Sequence, residues 1–352
     1  MNAPGPSVPF PPMEAELVEG LPTGDRWRYE PKWDGFRGVF ENDGGELALW
    51  SRNGRPLLRY FPELRAVGER LPPHSALDGE IVIERDGALD FDAMQLRLHP
   101  AESRIRKLSV ETPATFIAFD ILLWNGEALH DRPLAERRVE LEKRATAFTL
   151  SPQTTDRAQA QRWLERLEMI GLDGVVCKRA DLAYKPGSRE AVVKVKHHKT
   201  CDCVIVGYRK NGNRVASLLL GLYADGDTLD FVGHTSGISG DLQKDLQRRL
   251  PPLVETGHLG DGRMPGGESR WSQGKDLAWV EVRPEIVCEV RYDKMESDRF
   301  RHGTRFLRFR PDKDPRQCTW DQVRPARRDG DPTISGLLES DRSLPRSHRD
   351  RA

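Results

Sequence analysis

The stretch YEPKWDGFRGVF, residues 29–40, sets Lys32 in a strand-like run behind a proline, with Trp33, Asp34 and Phe36 close by in Lys-x-Asp-Gly-x-Arg order. Lysine is mostly a surface residue, so the ordinary reading is an edge strand carrying a solvated cation. The sharper reading is a lysine whose nitrogen attacks an electrophile. An ammonium has no lone pair, so such a lysine must lose its proton, which burial or neighbouring cations promote. One four-residue pattern recurs by chance; the rest of the chain has to decide.

Outward from Lys32 the sequence reads as an α+β domain. FENDGGELALWSRNG (40–54) turns at Asp43-Gly44-Gly45 between two strand-like pieces, and LDGEIVIERDGALDF (77–91) turns again at Asp86-Gly87. Two helices are predicted among these strands. DRPLAERRVELEKRAT (131–146) has Asp131 as N-cap and an early proline, and TDRAQAQRWLERLEMIG (155–171) opens on Asp156 and stops at Gly171. Residues 1–25 read as a Pro-rich arm, 26–200 as the first domain, and 201–320 as a second, all-β domain. The second domain alternates in short strands with one helix, SGDLQKDLQRRL (239–250), and a Gly-rich loop at about 256–274, which fits a small OB-fold barrel. Residues 321–352 are polar, Pro- and Arg-rich, and read as a disordered tail.

A chain of 352 residues is two domains long by size alone. Lys plus Arg and Asp plus Glu number 55 each, so no overall charge points to a polyanion and nucleic-acid binding has to rest on local patches. The five cysteines are scattered; Cys201 and Cys203 have no second pair at zinc spacing and read as strand residues. No apolar run reaches membrane-spanning length, and the N-terminus lacks the blocks of a secretion signal. A cytoplasmic protein with no membrane partner is expected.

Six segments then occur in order: KWDGFR (32–37), ALDGEIVI (76–83), FIAFDILLWNG (116–126), GLDGVVCKR (171–179), VVKVKH (192–197) and RFRPDKD (308–314). Together, over residues 26 to about 320, they resemble the motifs of the covalent nucleotidyltransferases, the superfamily of ATP-dependent DNA ligases, RNA ligases and mRNA capping enzymes. The resemblance implies an antiparallel-sheet nucleotidyltransferase (adenylation) domain followed by an OB-fold barrel. It also implies that Lys32 is the nucleophile.

Physical chemistry agrees. Lys194 and Lys196, two apart on a strand, point to one face and can aim both charges at one phosphate as it gains charge in transfer. The resemblance gives the other residues their roles. Glu30 is placed beside the adenine amino group and Phe119 against the adenine face, while Glu80 and Arg37 hold the ribose. Lys178 assists the phosphates or makes a surface contact. Asp173 takes the metal ion, Mg²⁺ or Mn²⁺, where many ligases carry the longer glutamate. Asp34 helps to organise the metal and the 3′ end of a nick. Arg52, in Ser-Arg-Asn-Gly, is placed on the nick's 5′-phosphate, a task that suits a guanidinium fork. In the barrel, Arg308 and Arg310 alternate onto one side of a strand, with Asp312 and Lys313 at its end, and these cations act on pyrophosphate in the first step.

The implied protein is a small, two-domain bacterial ATP-dependent DNA ligase that works as a monomer in DNA repair. Its partners are ATP, nicked duplex DNA and other repair proteins. An NAD-dependent ligase needs a nicotinamide-binding segment before the lysine and a four-cysteine zinc module behind the barrel, and neither is found here. An RNA ligase or a capping-type guanylyltransferase shares the architecture, and labelled ATP or GTP separates it from a DNA ligase. A non-catalytic nucleic-acid-binding relative would have no need of the complete set Lys32, Glu80, Lys194 and Lys196.

Overall fold

The computed structural model describes residues 5–196, 199–224, 228–259, 265, 278–296, 298–301, 303–324 and 330–340. The chain divides into two compact units, residues 1–197 with 328–352, and residues 198–327.

The first unit is built on two sheets. The larger has the order β4-β3-β5-β7-β8, from Glu46–Ser51, Phe36–Asp43, Ser75–Arg85, Ala114–Trp124 and Glu127–Ala128, with β6 (Ala88–Leu89) on β5 and β9 (Thr149–Leu150) on β7. The smaller has the order β1-β11-β10-β2, from Glu16–Val18, Val192–Lys196, Gly174–Arg179 and Trp27–Pro31. Every pairing is antiparallel except β1 with β11 and β9 with β7.

Phe40, Leu77, Ile81, Phe116 and Ile121 of the larger sheet pack with Phe61, Met94 and Leu141 into one apolar cluster. Tyr29, Trp33, Ile117, Trp163, Ile170, Val175 and Val195 form another. β5 is buried along its middle except at Glu80, which is half-buried. An apolar strand interrupted by one such carboxylate marks a functional opening rather than a solvated face.

The helices of this unit are α1 (Arg65–Gly68), α2 (Phe91–Arg97), α3 (Glu102–Glu111), α4 (Leu134–Arg144) and α5 (Arg157–Arg166). α5 starts as its sequence dictates, with the Asp156 carboxylate accepting from Ala158 N–H at 2.8 Å. Gly171 ends the turn that follows it at φ +84°, a conformation suited to glycine. The cap of α4 is Pro133 and not Asp131. α2 and α3 escaped the pattern of the sequence, because α3 buries only Ile105 and α2 is short.

Two expectations at the chain ends are corrected. The Pro-rich segment is no free arm: Val8 and Met13 are buried, and β1 pairs with β11 through Glu16↔Val193, Leu17↔Lys194 and Val18↔Val195. Part of the C-terminal segment read as disordered is helical. α7 (Ile334–Ser340) returns to the first unit, where Ile334 and Leu337 join the cluster of Trp33 and Trp163 and Ile334 N–H bonds to Gly87 C=O at 3.1 Å.

The second unit is the expected barrel. β12 (Lys199–Asn211), β13 (Arg214–Tyr223), β14 (Leu229–Ser236), β16 (Val287–Tyr292) and β19 (Thr304–Phe309) follow the order β13-β14-β19-β16-β12, and an added β13–β12 pairing closes the ring. β15 (Val280–Glu281) lies on β12, β17 (Met295–Glu296) pairs with β18 (Arg299–Phe300), and α6 (Gly240–Arg249) follows β14. Cys201 and Cys203 are buried on β12 beside Cys288 and Cys318. Burial pushes the Cys318 thiol up to about 12, away from the range of a reactive thiolate. The turn at 225–227 and most of the Gly-rich loop at 256–274 lie outside the described residues. Among the described residues no helix is long and apolar enough to cross a membrane.

Candidate active site

Strand register brings the charged residues together. Glu30 on β2, Val176 on β10 and Lys194 on β11 stand in one row across the smaller sheet, with Gly174 opposite Lys196 in the next row of the same face. Residues two apart share a face, so Lys178 and Lys196 join Glu30 and Lys194 there. Lys32 follows directly from β2, its N–H bonded to Gly174 C=O at 2.9 Å.

The Asp-Gly pairs at Asp34-Gly35 and Asp173-Gly174 are explained at this point. A Cβ on Gly35 would lie 2.0 Å from Ile81 O, and one on Gly174 would lie 2.1 Å from Val195 O. Only glycine lets β3 leave the lysine directly against β5 and lets β10 begin against β11. Trp33 turns the other way from Lys32 into the core, where its indole N–H bonds to Ser151 Oγ at 2.9 Å.

A cleft of about 460 Å³ opens over this face. Glu30, Lys32, Arg37, Arg52, Glu80, Phe119, Lys178 and Lys194 line it, so eight residues singled out from sequence converge on one space. Asp173 and Lys196 are connected to it through Lys32. The Lys32 ammonium is 2.6 Å from Asp173 Oδ1, and that of Lys196 is 2.9 Å from Oδ2. Burial by itself would raise the Asp173 pKa, but the two ammoniums outweigh it and hold the carboxyl at about 2. Lys194 has its pKa lowered by desolvation first and then by Lys32 and Lys196. Asp34 is half-buried on the loop to β3, where its charge adds to that of Glu80. Desolvation pushes the Glu80 carboxyl up to about 7, although Arg37, Lys32 and a bond from Gly35 N–H at 3.2 Å pull the other way.

Three residues stand differently from their sequence reading. Lys178 is not on the surface: it is 6 % exposed, bonded to both Glu30 oxygens at 2.9 and 2.8 Å, and 4.4 Å from the Phe119 ring centre. Its partner lies 148 residues away, on the neighbouring strand of the sheet. The Glu30 carboxylate is therefore engaged by Lys178 and by Gln153 Nε2 at 2.8 Å. Phe119 is not a bare apolar face, because Arg37 is also stacked 4.9 Å from its centre.

Sequence reasoning missed the wall of the cleft formed by Met13–Leu17, and also Arg189, which pairs with Glu14 at 2.6 Å. It missed a chain of bonds behind Arg37 as well. Met13 N–H donates to Tyr184 Oη at 3.1 Å, Tyr184 donates to Asp78 at 2.8 Å, and Arg37 Nε donates to Asp78 at 2.7 Å. A Pro-rich composition hid the first; nothing local marks the second. A second hollow of about 710 Å³ adjoins the cleft, shares Arg37, Arg52 and Glu80 with it, and adds Arg55, Arg59 and Phe36.

Within the barrel, Arg308 on β19 bonds to Glu289 at 2.6 Å. Arg310 stands just past the strand and bonds to Asp202 and Asp312; Asp202 lies directly opposite Glu289, the partner of Arg308. Lys313 Nζ is 2.7 Å from Asp202 Oδ2.

Among the described residues no three His, Cys, Asp or Glu side chains form a metal cluster. A hard divalent ion held by one carboxylate and substrate phosphates needs no such cluster. Asp173 fits that use: its Oδ1 is buried with Lys32 close but off the line of a good hydrogen bond.

Comparison with known proteins accords with this geometry. Residues 12–196 match the ATP dependent DNA ligase domain, and residues 211–313 match the ATP dependent DNA ligase C terminal region. The chain is 46% identical over 336 residues to DNA ligase C2 of Mycolicibacterium smegmatis, covering 90% of this chain and 94% of that one. It is 44% identical over 338 residues to DNA ligase C of Mycobacterium tuberculosis, with the same coverage of 90% and 94%. A solved structure from a study of Lig E DNA ligases shares the fold, with a TM-score of 0.50 at 16% identity over 85% of this chain and 100% of that one. With both family regions present in order, and relatives this similar along nearly their whole length, the chain belongs to the ATP-dependent DNA ligases.

Proposed function

We propose that the protein seals nicks in duplex DNA through lysyl-AMP and DNA-adenylate intermediates, acting as a monomer, with DNA repair as its setting. The observation that carries this reading is the convergence of Lys32, Glu30, Arg37, Glu80, Phe119, Lys194 and Arg52 on one cleft. Lys32 Nζ attacks the α-phosphorus of ATP, the bond to the bridging oxygen breaks, and pyrophosphate leaves with the electron pair. A 5′-phosphate oxygen then takes the AMP as the P–N bond breaks. The 3′-hydroxyl finally displaces AMP to form the phosphodiester.

Lys194 and Lys196 face the α-phosphate, while Glu80 and Arg37 hold the ribose, and Phe119 with Glu30 receives the adenine. Asp173 and Asp34 would hold Mg²⁺ or Mn²⁺ together with the phosphates, and the ion supplies charge neutralisation. Asp173 would then give up its ion pair with Lys32, which favours loss of the lysine proton. In the barrel, Arg308, Arg310 and Lys313 take the leaving pyrophosphate. The mass of the purified protein tests the whole reading. A species heavier by one AMP, lost on adding pyrophosphate, is expected; GTP-dependent labelling instead would favour a capping-type enzyme.

Arg52 lies where the cleft meets the second hollow, which suits a residue that receives a nick's 5′-phosphate. Arg52→Ala should form lysyl-AMP at a near-normal rate but transfer AMP to DNA slowly, and it should lose discrimination between 5′-phosphate and 5′-hydroxyl nicks. The slope of nick affinity against salt should also fall by roughly one unit for the lost phosphate contact. Failure at the first step, or full retention of the 5′-phosphate preference, overturns the assignment.

Glu80 gives a pH test. With its pKa at about 7 the carboxylate is protonated below and ionised above, and only the ionised form accepts from both ribose hydroxyls. Capture of ATP by the free enzyme should therefore improve as pH rises through about 7, and Glu80→Gln should flatten that inflection. An unchanged inflection in the variant removes Glu80 from the ribose. The same shift has a stability sign. Between the ordinary 4.5 and about 7 the folded form binds more protons at this site, so its contribution to stability falls as pH rises across that window.

A further inference from the structure

Asp202 is a buried anion on the barrel strand β12, 9 % exposed and opposite Glu289 on β16. Its backbone is gripped on both sides by the Gln322 amide. Gln322 Nε2 donates to Asp202 C=O at 3.0 Å, and Oε1 accepts from Asp202 N–H at 3.0 Å. Both carboxylate oxygens accept from Arg310 Nη1 at 3.0 Å, and Oδ2 also accepts from Lys313 Nζ at 2.7 Å. The remaining Arg310 contacts, from Nε and Nη2 at 3.0 and 2.9 Å, go to the exposed Asp312.

We infer that Asp202 is a positioning residue for lysyl-AMP formation: it binds Arg310 and Lys313 into one preset pair, so that both cations meet the leaving pyrophosphate together. This rests on the role proposed above for those two cations. Arginine and lysine are the side chains with most rotamer freedom to lose, and each would otherwise be ordered separately when phosphate arrives. One carboxylate fixed by a strand and an amide fork meets that cost in advance, for both at once. An arginine carries five N–H donors and a lysine three, so a shared carboxylate leaves each cation further donors for phosphate oxygens. A buried carboxylate stripped of its cations is costly, which keeps the pair in place when the barrel is without its substrate. Arg308 has no such anchor; its partner Glu289 is a cross-strand contact, and the Arg308 side chain is 64% exposed.

Asp202→Asn keeps the shape, removes the charge and leaves one oxygen to accept where two do now. Lysyl-AMP formation should slow by about tenfold, and the KM for pyrophosphate in the reverse reaction should rise, because both depend on preset cations. Sealing of a nick that already carries AMP should stay within about twofold of wild type, since pyrophosphate takes no part in it. A merely structural role would depress both reactions together and leave the KM for pyrophosphate alone, and that result overturns the inference. Gln322→Ala loosens the same carboxylate without altering charge; it should give the same pattern at smaller size, and it decides the matter if Asp202→Asn does not fold. Arg310→Ala and Lys313→Ala are the reference. If neither slows lysyl-AMP formation, the pyrophosphate role of the barrel falls. If they slow it and Asp202→Asn and Gln322→Ala do not, the cations stand and Asp202 is removed from the mechanism.

Discussion

A Lys32→Ala protein takes up no label from ATP and seals no ordinary nick, yet it still closes, at reduced rate, a nick that was adenylylated beforehand. That is the largest effect expected of any single substitution here, because Lys32 is the group proposed to supply the attacking nitrogen. The fold should survive it. Lys32 lines an open cleft, and Asp173 keeps the Lys196 ammonium at 2.9 Å when the Lys32 contact is lost. Intact mass, gel label transfer and thermal unfolding measured on one preparation separate chemistry from folding. Labelled AMP on a single site of the variant would falsify the assignment of the nucleophile.

Removal of residues 330–352 should be the most destabilising truncation that spares every motif. α7 inserts Ile334 and Leu337 into the cluster that holds Trp33, Trp163 and Val195, and those contacts leave with it. Full burial of such a side chain stabilises by about 1.5–3 kcal/mol, so the two together account for roughly 3–6 kcal/mol. The expected result is a clear fall in the denaturant midpoint of the first unit, with Ile334→Ala and Leu337→Ala each reproducing part of it. An unchanged midpoint would show that the helix is dispensable. A fragment cut after residue 200 is a poor test of the barrel for the same reason, since it also loses α7.

What the sequence made legible was whatever depends on neighbours along the chain. Asp34-Gly35 and Asp173-Gly174 are turn signals whose glycines are forced by close backbone approach, and Lys194 and Lys196 share a face because strands have period two. The barrel was legible from alternation, and α5 from its cap and its terminal glycine. What was hidden depends on partners distant in sequence. Lys178 looks like any strand lysine until β2 is laid beside β10 and Glu30 arrives. ISGLLES is too short and too sparsely apolar to announce a helix, and its order comes from the Gly87 turn and the cluster it completes. β1 is three residues long in a Pro-rich context, and only its parallel pairing with β11 makes it a strand. Asp202 reads as one acid between two cysteines, and its meaning lies with Arg310 and Lys313, 108 and 111 residues on.

The return of α7 to the first unit changes the polymer physics of the barrel. The chain leaves that unit after β11 and re-enters it at Ile334, so the barrel is a loop excursion anchored at both ends rather than a domain on one leash. A chain held at both ends has less conformational freedom than one held at a single end. Release of the helix would convert the closed excursion into a dangling end, with the larger conformational freedom of an open chain. A seven-residue helix that carries no motif thereby decides whether the second unit is closed at both ends.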